Sequence, residues 1–375
     1  MYSETDIDAA VASGALSPVA AQALRDSVAA NRAAPAVDEE SFRLVTGFND
    51  IFVTIAAILL LVAVGWFGFA LGRTLMPLPA VYGPAADGPM QRMVGTGTCF
   101  AGLLVAATAW GLAEFFTRRR RMALPSIVLL GAWVYGVAGC LFGGLFLLLR
   151  DGNQPRLATL LAALVGSVVA GAAWLHWRRF HVPITIAALT GALIGTVLCL
   201  LLTILPQTRL VLLSLLLLAG VAVFAFAMWW DISDRTRTTR RSDVAFWLHL
   251  SAAPMIAHPV FNLLGVLNGD PDVGRALLVL LLYGLFGLVA LAVDRRALLV
   301  SGLLYVLYAL AGLFSQVGAV SLNIALTALI IGSALLLLSA FWQSARRQVV
   351  SRLPGGLQAR LPALDRVLFV APRPA

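Results

Sequence analysis

The residues of this chain with the greatest capacity for chemistry fall between Phe246 and Asn262, in the stretch FWLHLSAAPMIAHPVFN. His249, Ser251, Pro254, His258, Pro259 and Asn262 interrupt a run that is otherwise apolar. In hydrocarbon an ionisable or strongly polar side chain is expensive, so each marks a candidate site by default. Each proline removes a backbone donor and crowds the preceding turn, and the pattern predicts a helix that kinks or breaks near Pro254. Carbonyls freed by such a break need a side chain, a water or a ligand. His258 and Asn262, four residues apart, share a helix face. His249 points the other way on an ideal helix, unless a break at Pro254 turns it. The chemistry on offer is hydrogen bonding to a solute, or an imidazole that titrates near neutral pH. The competing reading is a kinked helix whose histidines bond neighbouring carbonyls. Substrate-binding candidates are thus His258, Asn262, His249, Ser251 and Pro254. Two histidines without a third ligand do not make a metal centre, and no metal, cofactor or catalytic residue is expected.

Elsewhere the polar groups are sparse. No Asp or Glu lies near the middle of an apolar run, and Glu114, one turn from Arg118, reads as half of a boundary ion pair. His176 and His181 flank Arg178-Arg179 and read as members of a basic loop. Cys99, Cys140 and Cys199 each sit inside an apolar run without a CxxC spacing, so no disulfide is expected. Ser301, Tyr305, Tyr308 and Asn323 are single polar groups of the kind that hold helices together. Gly68 and Gly72, Gly139 and Gly143, and Gly191 and Gly195 form small-xxx-small pairs suited to close helix packing.

The elements that must position these residues follow from composition. Of 375 residues 60% are hydrophobic and only 12% charged, with a mean hydropathy of +0.91. Soluble domains carry about a quarter charged residues, so a water-soluble enzyme, a disordered chain and a disulfide-stapled scaffold are all excluded. The fold class expected is all-α, a polytopic transmembrane bundle of about ten helices. The apolar runs are 51–72, 93–116, 122–149, 157–177, 183–205, 208–230, 244–265, 274–293, 297–315 and 319–342, each near the length of about 20 residues that spans a bilayer. With the N-terminus inside, cytoplasmic segments hold 21 arginines and external ones 6, which predicts both termini in the cytoplasm. The net charge of +9 is thereby a topological signal, and nucleic acid is not expected as a partner. Trp174, Trp177, Trp229, Trp230, Trp247 and Trp342 fall at the same helix ends. The motif RRxxxP occurs at Arg120–Pro125 and again at Arg178–Pro183; a repeated hairpin would produce it, and so would any succession of spanning pairs with their arginines inside.

Outside the spanning region, 51–342, the chain divides into an N-terminal segment, 1–50, and a tail, 343–375. Met1–Asp8 is acidic, the reverse of a signal-peptide n-region, so the first span is expected to act as an uncleaved anchor. A short helix before Gly14 and a second begun by Ser17-Pro18 form a pair too small to own a core. The pair could dock on the membrane domain or on a protein partner. The tail alternates arginines with apolar residues and is expected to lie on the cytoplasmic leaflet, with Arg346, Arg347 and Arg352 near anionic lipids. Its charge of +5 against −5 for residues 1–50 also suits docking of the two tails on each other.

The segment AAVASGALSPVAAQALRDSV, through Gly14, Leu16, Ser17, Pro18, Gln22, Ala23 and Leu24, together with the RLP…RLP tail, resembles a domain-of-unknown-function family of bacterial polytopic membrane proteins that begin with a short helix pair. The resemblance covers under a tenth of the chain and implies a bacterial inner membrane, with no substrate and no catalytic residue.

Three classes of function fit these observations. A secondary transporter or permease for a small or amphipathic solute, with its site at the proline-bearing seventh run, is the first expectation. A sensor, scaffold or assembly factor acting through its cytoplasmic tails is the second. A lipid-modifying enzyme comes last, because intramembrane catalysis needs clustered acids, histidines or metal ligands.

Overall fold

The computed structural model describes residues 4–33, 48–75, 87–148, 155–235, 237, 239–265, 273–316 and 323–364. All described elements are helical. The chain divides into a small unit, residues 1–42 with 364–375, and a large one, Arg43–Ala363. In the small unit, α1 (Glu4–Ala12) and α2 (Pro18–Ala33) are joined through Gly14 at φ 74°. Ser17 Oγ accepts the Ala20 N–H at 3.1 Å, so it caps α2 ahead of a proline that has no N–H to satisfy.

Among the described residues, the large unit contains seven helices long and apolar enough to cross a membrane. They are α3 (Phe48–Leu75), α4 (Asp87–Ala113), α5 (Ala123–Leu148), α6 (Pro155–Phe180), α7 (Ile184–Ile204), α8 (Arg209–Ser233) and α9 (Arg240–Leu263). These coincide with the first seven apolar runs of the sequence. The last three runs fall on α10 (Val273–Val293), α11 (Ala297–Gln316) and α12 (Asn323–Ala340). There the apolar helical stretches are shorter, Leu277–Val293 and Leu298–Leu307, and Leu329–Ala340 is followed at a 73° bend by α13 (Trp342–Ser351). A single turn, α14 (Gly355–Gln358), comes after it.

The outer surface is what hydrocarbon selects. On α3, Ile55, Leu59, Val62 and Trp66 are all exposed, a stripe at helical spacing with no protein against it. On the other side of that helix the backbone meets α4: a Cβ on Gly68 would lie 2.8 Å from Ala101 Cα, and one on Gly72 2.6 Å from the Thr96 carbonyl oxygen. Gly143 of α5 presses on Cys99 of α4 in the same way, whereas Gly139 has ordinary clearance and Gly191 and Gly195 have nothing within 4 Å. Only some of the small-xxx-small pairs, then, are packing seams. Cys99 and Cys140 meet across the α4–α5 seam with their sulfurs 3.4 Å apart, and both remain thiols.

Two further features depart from the sequence reading. α4 widens into a π-helical turn over Glu114–Arg119, and Arg121 then takes the left-handed conformation, φ 54°. After the second RRxxxP start the left-handed residue is His181, φ 53°, so the shared motif does not impose a shared turn. More consequentially, α9 does not break: both prolines lie inside one continuous helix. The helix stays continuous because neighbours enclose it, half of its spanning window being buried, against 17–28% in the other six.

Candidate functional site

α9 is the helix on which polar side chains gather, and its neighbours decide what each of them does. Its N-terminus is built by Thr239, whose hydroxyl oxygen accepts the Arg241 N–H at 3.2 Å. Thr239 in turn donates its own N–H and hydroxyl to Asp234, at 2.9 and 2.7 Å. This cap fixes the short connection from α8, so that the C-terminal end of α8 lies beside the first half of α9.

His249 is fully buried at that junction. Its Nε2 lies 2.8 Å from Asp231 Oδ2, and Phe224 meets its ring edge-on, with centroids 5.1 Å apart. Arg295, from the α10–α11 connection, completes the group by donating to Asp231 Oδ1 at 2.6 Å and to the Ser242 carbonyl at 3.0 Å. Asp231, His249 and Arg295 are each 3% exposed or less. A carboxylate removed from water needs both charge compensation and hydrogen bonds, and here one residue supplies the first and two supply the second. His249 Nδ1 has no hydrogen-bond partner among the described residues. An Asp–His pair with no nucleophile on the second ring nitrogen lacks the arrangement that activates a hydroxyl or thiol.

A second buried ion cluster adjoins it. Arg237, held at φ 55°, donates to Asp294 Oδ2 at 2.8 Å and to the carbonyls of Val293 and Asp294 at 3.1 and 3.2 Å. Its charge therefore sits on the last carbonyls of α10, where a cation is favoured. Asp294, itself at φ 59°, also accepts the Trp342 indole N–H at 2.8 Å. Arg346 of α13 approaches the same carboxylate at 3.7 Å and donates to the carbonyls of Pro362 and Ala363 at 2.7 and 3.2 Å. Arg346 is 1% exposed. The sequence expectation that it faces anionic headgroups is therefore corrected: the guanidinium turns inside, where its two terminal nitrogens fasten the chain after α14 to the bundle.

The other expected site residues separate. Ser251 donates to the Trp247 carbonyl of its own helix at 2.9 Å. Pro254 is exposed, as is His258. His258 Nδ1 shares a 2.7 Å hydrogen bond with the Tyr305 hydroxyl of α11, and Phe261 stacks on that tyrosine ring at 4.4 Å. Asn262 is buried and accepts from the Arg209 guanidinium at the start of α8, 2.5 Å away. His258 and Asn262 thus share a helix but serve different neighbours. His249 lies at the other end of α9 from both.

One more residue departs from its sequence reading, and one keeps its expected ion pair while gaining a second partner. His176 is fully buried, its Nδ1 3.3 Å from the Thr185 hydroxyl, and belongs to the packing of α6 on α7 rather than to a basic loop. Glu114 pairs with Arg118 at 3.3 Å, but its tighter partner is Arg179, which holds both carboxylate oxygens at 2.6 and 3.0 Å.

Sequence reasoning found His249 and missed its partners. One signal was available: Asp231 follows Trp229-Trp230 at the end of a helix that carries no acid before it. Among the described residues no three His, Cys, Asp or Glu side chains converge as a metal site requires. No family model, no curated protein and no solved structure matches the chain, so the case for a site rests on this geometry.

Proposed function

We propose that this multi-pass membrane protein is a ten-span inner-membrane transport protein for a small or amphipathic solute. Both termini lie in the cytoplasm, and α9 is its working helix. α10, α11 and α12 supply the last three spans. The observation that carries the reading is the placement of polar stations along one largely enclosed helix: His249 with Asp231 and Arg295 toward one end, His258 with Tyr305 and Asn262 with Arg209 toward the other. Buried ionisable groups on spanning helices are costly and mark solute or proton pathways. The arginine bias supports an orientation with the His249 end inside and the His258 end outside.

The deciding experiment is thiol accessibility in a background lacking Cys99, Cys140 and Cys199. Single cysteines at Pro254 and His258, which are exposed, and at Ala257 and Phe261, which are buried, are treated from outside with a membrane-impermeant maleimide. Labelling at 254 and 258 with protection at 257 and 261 supports a water-filled path along α9. Protection at all four positions in folded protein overturns it.

A second reading has its own observation. The buried fastening of Pro362 and Ala363 by Arg346 is what a protein acting through a fixed cytoplasmic surface would need, and protection throughout α9 would favour that reading.

A further inference from the structure

An apolar groove of about 150 Å³ lies where α10, α11, α12 and α13 meet. Its walls are leucines of α11 and α12 together with Val300, and Tyr283, Arg296 and Ser339 bring polar groups to it, the Trp342 N–H being taken by Asp294. Val300 is 63% exposed, so the groove opens on the outside of the bundle, where hydrocarbon is the neighbour. Arg296 sits at the start of the α10–α11 connection's return into α11, its guanidinium 4.8 Å above the Trp342 ring. Trp342 begins α13, directly after the 73° bend. Arginine and tryptophan at helix ends mark the level of the lipid headgroups. The Tyr283 hydroxyl is buried and has no hydrogen-bond partner among the described residues, a cost that a bound acceptor would remove.

We propose that this groove binds one anionic phospholipid, with the start of an acyl chain against the leucines and the phosphate against Arg296. Three properties of the site select that occupant. A leucine-lined slot that opens on hydrocarbon is filled by hydrocarbon rather than by water. Leucines make up most of the lining and a few polar groups join them, as an amphiphile requires. The charged one is an arginine, whose planar fork matches a phosphate. Tyr283 donates to an oxygen of the bound lipid. The site stands whether the protein transports a solute or acts through its cytoplasmic surface.

The test is native mass spectrometry of the full chain in detergent, titrated separately with phosphatidylglycerol, phosphatidylcholine and oleate. The wild type is expected to hold one phosphatidylglycerol in preference to phosphatidylcholine. Arg296→Gln weakens phosphatidylglycerol about tenfold, the scale of one lost charge-assisted hydrogen bond, weakens phosphatidylcholine less because its choline cation already offsets the same phosphate, and so narrows the preference between them. Arg296→Lys keeps part of the preference. Val300→Trp, at an exposed position that tolerates bulk, fills the mouth and weakens both phospholipids, which guards against a folding defect in the arginine variants. Arg347→Gln, an exposed arginine outside the groove, changes nothing. Equal phosphatidylglycerol binding by the wild type, Arg296→Gln and Val300→Trp overturns the site as a shell of loosely held lipid. Binding of oleate without phosphatidylglycerol overturns the choice of occupant.

Discussion

Asp231 and His249 belong to different helices, stand 18 residues apart in sequence, and meet at 2.8 Å where neither is more than 1% exposed. The bond joins the end of α8 to the first half of α9, and Arg295 brings the α10–α11 connection onto the same carboxylate at 2.6 Å. One acid thereby fixes three parts of the chain. Because Asp231 and Arg295 compensate each other out of water, losing one partner costs more than losing both.

Asp231→Ala is accordingly expected to be among the most destabilising single changes in the large unit, by about 3–5 kcal/mol, the range for an orphaned buried charge. Arg295→Met added to it should recover part of the loss. Thermal unfolding of the solubilised protein, followed by helical circular dichroism, checks the order. A double variant no more stable than Asp231→Ala would show that the arginine does not depend on the aspartate.

The same pair shows what could be read in advance. The apolar runs were legible because a bilayer imposes length and composition on any helix that crosses it, and α3 to α9 fall where those runs do. Charges near helix ends carry no such signature. Arg178 and Arg295 look alike in the sequence, each opening an arginine pair between apolar runs, yet Arg178 is exposed and Arg295 is 3% exposed. The difference lies in Asp231, which only the packing of α8 on α9 brings within reach. The proline pattern misled for a related reason. Pro254 and Pro259 weaken a helix locally, but the surroundings of α9 hold it continuous.

The glycine seams make an internal comparison. Gly72→Ala would force a Cβ to 2.6 Å from the Thr96 carbonyl oxygen, a backbone atom that cannot swing away. Gly191→Ala meets nothing within 4 Å and removes a glycine from a helix interior, worth about 0.5–1 kcal/mol. The first variant should lower the unfolding temperature and the second hold or raise it. Equal effects would show that the α3–α4 approach is not close.

Oxidation reads out the neighbouring seam. With sulfurs 3.4 Å apart, Cys99 and Cys140 need to close by little more than an ångström to reach the disulfide length of about 2.05 Å. Copper phenanthroline treatment of membranes should link them within one chain, and peptide mapping should recover Cys99 bonded to Cys140. Cys99→Ser should abolish the product while Cys199→Ser leaves it intact. Failure of the wild type to cross-link would place α4 and α5 in a different rotation.

The chain after α14 is held from two sides, and that fixes how it should come loose. Arg235 donates to the carbonyls of Leu361 and Gln358 at 2.9 and 3.4 Å, and its own carbonyl receives the Ala363 N–H at 3.3 Å. Arg346 holds Pro362 and Ala363 from α13. Removing either guanidinium leaves the other in place, so Arg346→Gln alone should speed amide exchange at Ala363 only in part. Arg235→Gln with Arg346→Gln should bring exchange to the rate of an open chain and quicken tryptic cleavage after the exposed Arg360. Arg352→Gln, exposed outside this fastening, should leave the exchange unchanged. If the double variant exchanges no faster than the wild type, the two arginines are not what holds the segment. If it does, the tail can be freed without deleting a residue, and any partner that binds the fixed surface should be lost in step with the exchange rate.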